Sequence, residues 1–236
     1  MNLQKGKEGM ELPKLSENLQ KRIISAGILA PIVLIIIWLG GALYNTLIVA
    51  VAVVMSFEWQ GIINSGKRTI DEPTKQKWVI MGVVYVTTFA ASLIYLRSIE
   101  GGFGLVMLML FMVWSTDIAA YFAGSILKGP KIYPKISPNK TWAGLIGGMI
   151  ASGFIGAMSS AIISVGFFHM IFYGMLIAII SQIGDFFESW VKRQFMVKDS
   201  GNLIPGHGGL MDRLDGFTTT APVFVVFIIL NGGVPL

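Results

Sequence analysis

The hydrophobic positions of this chain form long blocks that are separated by short polar segments. Each block approaches the roughly 20 apolar residues that a helix needs to cross a hydrocarbon core of about 30 Å. Only helices satisfy all their backbone hydrogen bonds at this length in lipid, so the pattern predicts an all-α, polytopic integral membrane protein with about seven transmembrane helices. The blocks span about 23–39, 42–57, 78–96, 103–124, 143–165, 169–187 and 217–234.

Composition supports the membrane assignment. Hydrophobic residues make up 54% of the 236 residues and charged residues only 13%, whereas soluble domains carry roughly 25% charged residues. An ordinary soluble domain is therefore excluded. The chain has no cysteine, which excludes disulfides, a thiolate metal site and a cysteine nucleophile.

The basic residues predict an orientation. If the N-terminus is cytoplasmic, 17 of the 18 lysines and arginines lie on the cytoplasmic side, and Arg97 is the exception. Such asymmetry is typical of integral membrane proteins, whose cytoplasmic loops are enriched in Lys and Arg. The chain then has an N-terminal cytoplasmic segment, an outside C-terminus and a cytosol-facing polar site. The inside segments are 1–22, 58–77, 125–142 and 188–216.

Carboxylates mark a candidate metal site at the predicted inner ends of the spans. Asp117 and Asp185 lie within apolar spans, where a charge costs about 2.5–3.5 kcal/mol and indicates function. Asp212 and Asp215 are three residues apart, so they share a helix face. Together, Asp185, Asp212 and Asp215 offer the oxygen ligands that Mg²⁺ prefers. Neighbouring glycines, including Gly208 and Gly209, let the backbone approach a ligand closely.

The segment around Lys140 predicts a phosphate-binding helix start. Ser137, Pro138, Lys140 and Thr141 directly precede the fifth span. Unpaired N–H groups and the helix dipole favour phosphate at such a position, and the lysine adds a point charge. For the other lysines of this loop, contact with anionic lipid headgroups is an equally good interpretation.

The same residues resemble a known signature. Residues 189–193, 198–199 and 205–215, which end in PGHGGLMDRLD, resemble the signature of the phosphatidate cytidylyltransferase (CDP-diacylglycerol synthase) family. Supporting matches lie at 117–124, 136–142 and 182–185, although Ala143 stands where the family usually has Glu or Gln. The resemblance runs through roughly the C-terminal half, while the N-terminal half matches only in hydropathy.

The resemblance implies a nucleotidyltransferase of phospholipid biosynthesis that makes CDP-diacylglycerol and pyrophosphate from CTP and phosphatidic acid. It implies Mg²⁺ as cofactor, with a second, monovalent cation left open. The expected catalytic residues are Lys140, Asp185, Asp212, Asp215 and Asp117, and the metal ligands are Asp185, Asp212 and Asp215. The expected substrate-binding residues are Ser137, Pro138, Thr141, Lys192, Arg193, His207, Gly208, Gly209 and Arg213.

On this interpretation the chain divides into a cytoplasmic segment (1–22), N-terminal transmembrane helices (23–96) and a catalytic transmembrane region (97–236). The active site faces the cytoplasm, and in a bacterium the membrane is the inner membrane. The expected partners are CTP, phosphatidic acid and the lipid bilayer, without nucleic acid. Glycine-rich helix faces suit packing within the chain or a homodimer equally well.

Four alternatives remain. A transporter would explain intramembrane carboxylates, but it needs polar groups through the outer half of the membrane, which is almost uncharged here. A CDP-alcohol phosphotransferase carries an aspartate pattern that this chain lacks. A relative that acts on another lipid phosphate, such as a polyprenol-type kinase, is compatible with these residues. A non-catalytic scaffold would not need Lys140 and three aspartates together.

Overall fold

The computed structural model describes residues 17–65, 67–163, 165–203 and 208–231. These residues form seven α-helices and no named strand, and an isolated antiparallel bridge joins Lys131 and Thr141. The helices are α1 Glu17–Leu39, α2 Gly41–Ile63, α3 Glu72–Ser98, α4 Gly102–Leu127, α5 Trp142–Ser159, α6 Phe167–Gln194 and α7 Met211–Leu230. The all-α prediction is therefore confirmed.

Six of these helices, α2 to α7, are long and apolar enough to cross a membrane. The apolar part of α1 is shorter. Among the residues whose side chains are described, it covers Gly27–Leu39. The polytopic membrane architecture predicted from the hydrophobic blocks is confirmed by this arrangement.

Several helices extend beyond the apolar blocks that predicted them. α6 continues to Gln194 and α7 begins at Met211, so the connection between them is shorter than 188–216. Lys192 and Asp212 consequently lie on helices and not in a loop. Their charges pair with each other across the two helix ends, and this pairing allows helical structure to continue past the hydrophobic stretch.

Arg97, the one basic residue predicted to lie on the outer side, holds the turn between α1 and α2. Gly40 and Gly41 have positive φ angles of 65° and 59°, which only glycine adopts without strain. Arg97, near the end of α3, donates from Nε to the Ile37 carbonyl at 2.9 Å and from Nη2 to the Trp38 carbonyl at 3.2 Å. These bonds satisfy carbonyls at the α1 C-terminus that have no partner within the helix.

The small residues of α5 bring three helices into close contact. A Cβ built at Gly148 would lie 2.9 Å from the Thr116 side chain of α4, and one at Gly144 would lie 2.8 Å from the Ala120 carbonyl. On the α6 side, a side chain at Gly156 would overlap the Met170 backbone. The glycine stripe thus serves packing within the chain, where dispersion forces between close backbones hold membrane helices together.

α6 and α7 cross closely at a second pair of glycines. A Cβ at Gly184 would overlap the Thr219 side chain and the Asp215 carbonyl, and one at Gly216 would contact Ser181. The Thr219 hydroxyl donates to the Ile180 carbonyl of α6 at 3.1 Å. This crossing lies directly beside the aspartates that the sequence analysis selected.

Candidate active site

A polar cavity of about 380 Å³ lies between α4, α5, α6 and α7. It contains every residue that the sequence analysis predicted to be catalytic, although these residues come from four separate parts of the chain. Two further predicted residues, Thr141 and Arg213, also line it. The carboxylates that line it are Asp117, Asp185, Asp212 and Asp215.

Lys140 reaches this cavity from the segment that precedes α5. Its ammonium group forms an ion pair with Asp185 and lies 5.0 Å from the centre of the Phe186 ring. The Lys140 carbonyl accepts a hydrogen bond from the Ile132 N–H at 3.0 Å, which ties the end of the segment back to its beginning. Lys140 is therefore held by backbone geometry as well as by charge.

The predicted helix start at this position is confirmed. Thr141 is the N-cap of α5, and its hydroxyl accepts a hydrogen bond from the Gly144 N–H at 3.0 Å. This is the bond that a capping threonine normally makes to the first turn of a helix. The positive end of the α5 dipole consequently points toward the cavity lined by Lys140 and Thr141.

The α6–α7 crossing places two carboxylates in contact. Asp185 directly follows Gly184, Asp215 directly precedes Gly216, and the two carboxyl groups lie within hydrogen-bonding reach of each other. Asp117 of α4 is close enough to Asp185 for direct charge repulsion. Like charges at this distance are stable only when cations or protons offset them.

The donor set at this crossing suits a hard divalent cation. Besides the two carboxylates, the buried Ser181 hydroxyl lies against Gly216 and has no hydrogen-bond partner among the described residues. Oxygen atoms from carboxylates and hydroxyls are what Mg²⁺ prefers. Within the described chain, no three His, Asp or Glu side chains form a ready-made metal cluster, so a cation here would draw on two carboxylates and on substrate or water oxygens.

Lys192 has a different position from the one predicted for it. It is not among the residues that line the cavity but lies behind it, where its Nζ donates to Glu188 Oε1 at 2.9 Å and to Asp212 Oδ1 at 2.6 Å. The side chain of Glu188 is fully buried and that of Asp212 is 8% exposed. This buried triad joins the end of α6 to the start of α7.

Asp212 is held by hydrogen bonds from three groups in the described part of the chain. Besides Lys192, its Oδ2 accepts hydrogen bonds from the backbone N–H groups of Ser200 and Gly209, each at 2.9 Å. Both carboxylate oxygens are thus engaged by the protein itself. In this arrangement Asp212 joins Ser200 and Gly209 to the start of α7, whereas Asp185 and Asp215 lie beside each other at the α6–α7 crossing.

The comparisons with known proteins identify the family of the chain. The family model described as "Cytidylyltransferase family" matches residues 73–230, which is most of the chain. The chain belongs to the cytidylyltransferase family. The match includes every residue that lines the cavity.

Several relatives are similar over nearly the whole chain. A phosphatidate cytidylyltransferase from Brucella suis biovar 1 is 36% identical over 251 residues, covering 89% of this chain and 93% of the relative. One from Rickettsia bellii is 37% identical over 232 residues, covering 94% and 96%. One from Rickettsia felis is 34% identical over 241 residues, covering 98% and 100%.

Of the remaining predicted binding residues, those that the structure describes are not among the residues that line the cavity. Ser137 and Pro138 belong to the loop before Lys140, and Arg193 is exposed at the end of α6, where its Nη1 donates to the Val197 carbonyl at 3.0 Å. Gly208 and Gly209 lie in the loop before α7. His207 lies outside the described residues.

Other site residues were not selected from the sequence. Asn139, Gln182 and Tyr121 line the cavity, and Ser181 lies beside the aspartate pair. Ser181 precedes Asp185 by one helical turn, and Gln182 precedes Phe186 by one turn. This spacing along α6 was the signal that could have identified them as site residues. Glu58 of α2, by contrast, reaches the start of α7 across 152 residues of sequence, and no local pattern indicates such a contact.

We predict that Lys192→Met destabilises the protein strongly, because it leaves Glu188 and Asp212 buried without a cation. Breaking a buried ion pair by removing one partner costs about 3–5 kcal/mol. Thermal unfolding of the purified protein in detergent measures the effect. Lys198→Met, at an exposed loop position, is the control and should change stability by less than about 0.5 kcal/mol. Equal melting temperatures for both variants would contradict the structural role assigned to Lys192.

Proposed function

We propose that this chain transfers the cytidylyl group of CTP to phosphatidic acid and releases pyrophosphate, forming CDP-diacylglycerol. One observation carries the proposal: in a member of the cytidylyltransferase family, Lys140 and the Asp185–Asp215 pair converge in one cavity within a membrane-spanning helix bundle. The names of the relatives, all phosphatidate cytidylyltransferases, support the choice of substrate.

The reaction needs little proton transfer. A phosphate monoester has a second pKa near ~6, so phosphatidate is largely a dianion at neutral pH and is already a nucleophile. One of its phosphate oxygens forms a bond to the α-phosphorus of CTP, and the bond from that phosphorus to the bridging oxygen of pyrophosphate breaks. The difficulty is bringing two anions together and stabilising the leaving group, so positioning and electrostatics dominate.

We assign the phosphate-binding role to Lys140 and to the start of α5. The ammonium group of Lys140 is fixed beside Asp185, and Thr141 lies at the helix end where N–H groups favour anions. Arg213, which also lines the cavity, adds a guanidinium group as a second cationic donor for phosphate oxygens. Asp117 also lines the cavity and adds negative charge that a cation would offset.

The Mg²⁺ site in this proposal consists of Asp185 and Asp215, with Ser181 as an additional oxygen donor. Asp212, which was grouped with the metal ligands from its spacing, supports the site by holding Lys192 and the loop before α7. When bound, the metal supplies positive charge that offsets the charge of the triphosphate and of leaving pyrophosphate. A monovalent cation as a second ion stays part of the proposal.

We further propose that the cavity faces the cytoplasm. The ends of α2, α4 and α6 that lie near it carry the basic loops, whereas the opposite end carries Arg97, which is engaged with α1. The positive-inside rule then places the cavity end in the cytoplasm. That side is also where CTP is available to a membrane enzyme.

The activity test uses purified protein in mixed micelles and follows labelled CTP into lipid. We predict that Asp185→Asn and Asp215→Asn each lower turnover by about 10²-fold or more, the size seen when one preorganised electrostatic group is removed. Chelation of divalent ions should abolish wild-type activity, and Mg²⁺ should restore it. Glu100→Gln, exposed at the far end of the bundle, is the control and should keep wild-type turnover.

Two results would count against this assignment. Near-normal turnover in both aspartate variants would remove them from the site. Wild-type protein that incorporates no CTP into phosphatidate, but accepts another nucleotide or lipid phosphate in a substrate panel, would show that the chain serves a different reaction of the same type.

The orientation has a separate test, which the absence of cysteine makes simple. We predict that Lys135→Cys reacts with a membrane-impermeant maleimide in inverted membrane vesicles but not in intact spheroplasts. Glu100→Cys should show the reverse labelling. Labelling of both positions from one side, or the opposite pattern, would overturn the proposed orientation.

A further inference from the structure

Glu58 is a buried carboxylate that belongs to the opposite half of the chain from the catalytic motifs. It lies near the end of α2, is 9% exposed, and falls outside the residues that the family model matches. Burial of a carboxylate in a membrane-spanning helix is costly unless its oxygens are hydrogen-bonded. The position of Glu58 therefore calls for a specific role.

Both oxygens of Glu58 are bonded to the start of α7. Oε1 accepts from the Leu210 N–H at 2.7 Å, and Oε2 accepts from the Met211 N–H at 2.7 Å. Oε2 also accepts from the Ser200 hydroxyl at 3.1 Å. The partners are two of the N–H groups that every helix leaves unpaired at its N-terminus, and a carboxylate there is favoured by the helix dipole.

The residue next to the helix start does not perform this task. The residue at the N-cap position of α7 is Leu210, which makes no side-chain capping bond. Helices usually obtain such a cap from Ser, Thr, Asp or Asn next to the first turn. In this protein the cap comes from another helix, 152 and 153 residues earlier in the sequence.

The approach of Glu58 also explains two glycines of the loop before α7. A Cβ built at Gly209 would overlap the Ser200 hydroxyl, itself bonded to Glu58, and would lie 2.8 Å from each oxygen of Glu58. A Cβ at Gly201 would lie 3.0 Å from Oε1. Gly209 belongs to the signature that the sequence analysis linked to substrate binding. Its position here accommodates the carboxylate, and its N–H meanwhile bonds to Asp212.

The cap determines where the first turn of α7 begins. That turn carries Asp212, Arg213 and Asp215, all of which line the cavity. A shift of the helix start would move Asp215 relative to Asp185 on α6. Misplacement of a reacting group by about 1 Å is enough to lower turnover by roughly 10²-fold.

We infer that Glu58 is a positioning residue for cytidylyl transfer: its carboxylate caps α7 from α2 and thereby sets the register of Asp212 and Asp215 against α6. The predicted effect on turnover rests on the proposed function, whereas the contact between Glu58 and α7 does not depend on it. It gives the N-terminal helices, which carry no catalytic motif, a direct part in assembling the site.

The experiment compares Glu58→Gln, Glu58→Asp and the control Gln60→Ala, which lies at an exposed position in the same helical turn. The glutamine is isosteric, but its NH₂ group must face one of the two N–H donors. We expect Glu58→Gln to lower kcat by roughly 10- to 100-fold and to leave KM for CTP within about threefold. Glu58→Asp keeps the charge with a shorter reach and should recover part of kcat.

Hydrogen exchange followed by mass spectrometry provides a readout that is independent of activity. Peptides covering residues 200–214 should exchange faster in Glu58→Gln than in wild type, while peptides from α5 should be unchanged. Gln60→Ala should match wild type in both measurements. Glu58→Asp serves as the second variant if Glu58→Gln does not fold.

Three outcomes would overturn the inference. The first is that Glu58→Gln retains wild-type kcat, and the second is that it loses activity while hydrogen exchange at 200–214 is unchanged. The third is that activity falls only in proportion to the amount of folded protein, which indicates a purely structural role. If wild-type protein has no cytidylyltransferase activity, the proposed function fails, and the exchange measurement still decides whether Glu58 holds α7.

Discussion

The close crossing of α6 and α7 is the constraint on which the rest of the site depends. Glycines at 184 and 216 remove the side chains that would hold the two helices apart. Asp185 and Asp215 are adjacent to those glycines, so the contact that packs the helices also brings the carboxylates together. Membrane helices associate mainly through such close backbone approach. Here the same close contact also produces a charged cavity inside an apolar bundle.

That cavity is stable because its charges are distributed among several elements. Lys140 from the loop before α5 pairs with Asp185, and Lys192 from the end of α6 pairs with Asp212. Aromatic side chains of α2, α3 and α6 surround this end of the bundle: the Tyr85 and Phe187 rings lie 5.2 Å apart, and the Trp59 indole N–H donates to the Trp78 carbonyl at 2.9 Å. Low polarity around the ion pairs strengthens them but makes any unpaired charge costly.

Hydropathy was sufficient to predict the helices, and three local signals were sufficient to predict most of the cavity. Asp117 and Asp185 were selected because charge is expensive in lipid. Lys140 was selected because a helix start attracts phosphate, and Asp212 and Asp215 because their spacing puts them on one helix face. The individual roles were harder to predict. Lys192 was expected to bind substrate, yet its side chain is engaged by Glu188 and Asp212, a pairing that depends on how the α6 and α7 ends meet.

Long-range contacts account for what the sequence could not reveal. Glu58 lies at the end of an apolar block, where a charged residue normally means only that the helix leaves the membrane. Its partners at the start of α7 are backbone N–H groups, which have no residue-type signature, and they lie 152 and 153 residues away. The function of Gly209 is hidden for a similar reason, since the groups that leave no room for a side chain there are the Ser200 hydroxyl and the Glu58 carboxylate of α2.

The most direct test of the account is whether Asp185 and Asp215 lie in contact in the membrane-embedded protein. Because the chain has no cysteine, the double variant Asp185→Cys, Asp215→Cys introduces the only two thiols. The account predicts that mild oxidation in vesicles links them into an intramolecular disulfide, whereas a Glu100→Cys, Asp215→Cys pair from opposite ends of the bundle remains fully alkylatable. Thiols at 185 and 215 that stay free under the same oxidation would contradict the helix crossing on which the proposed site rests.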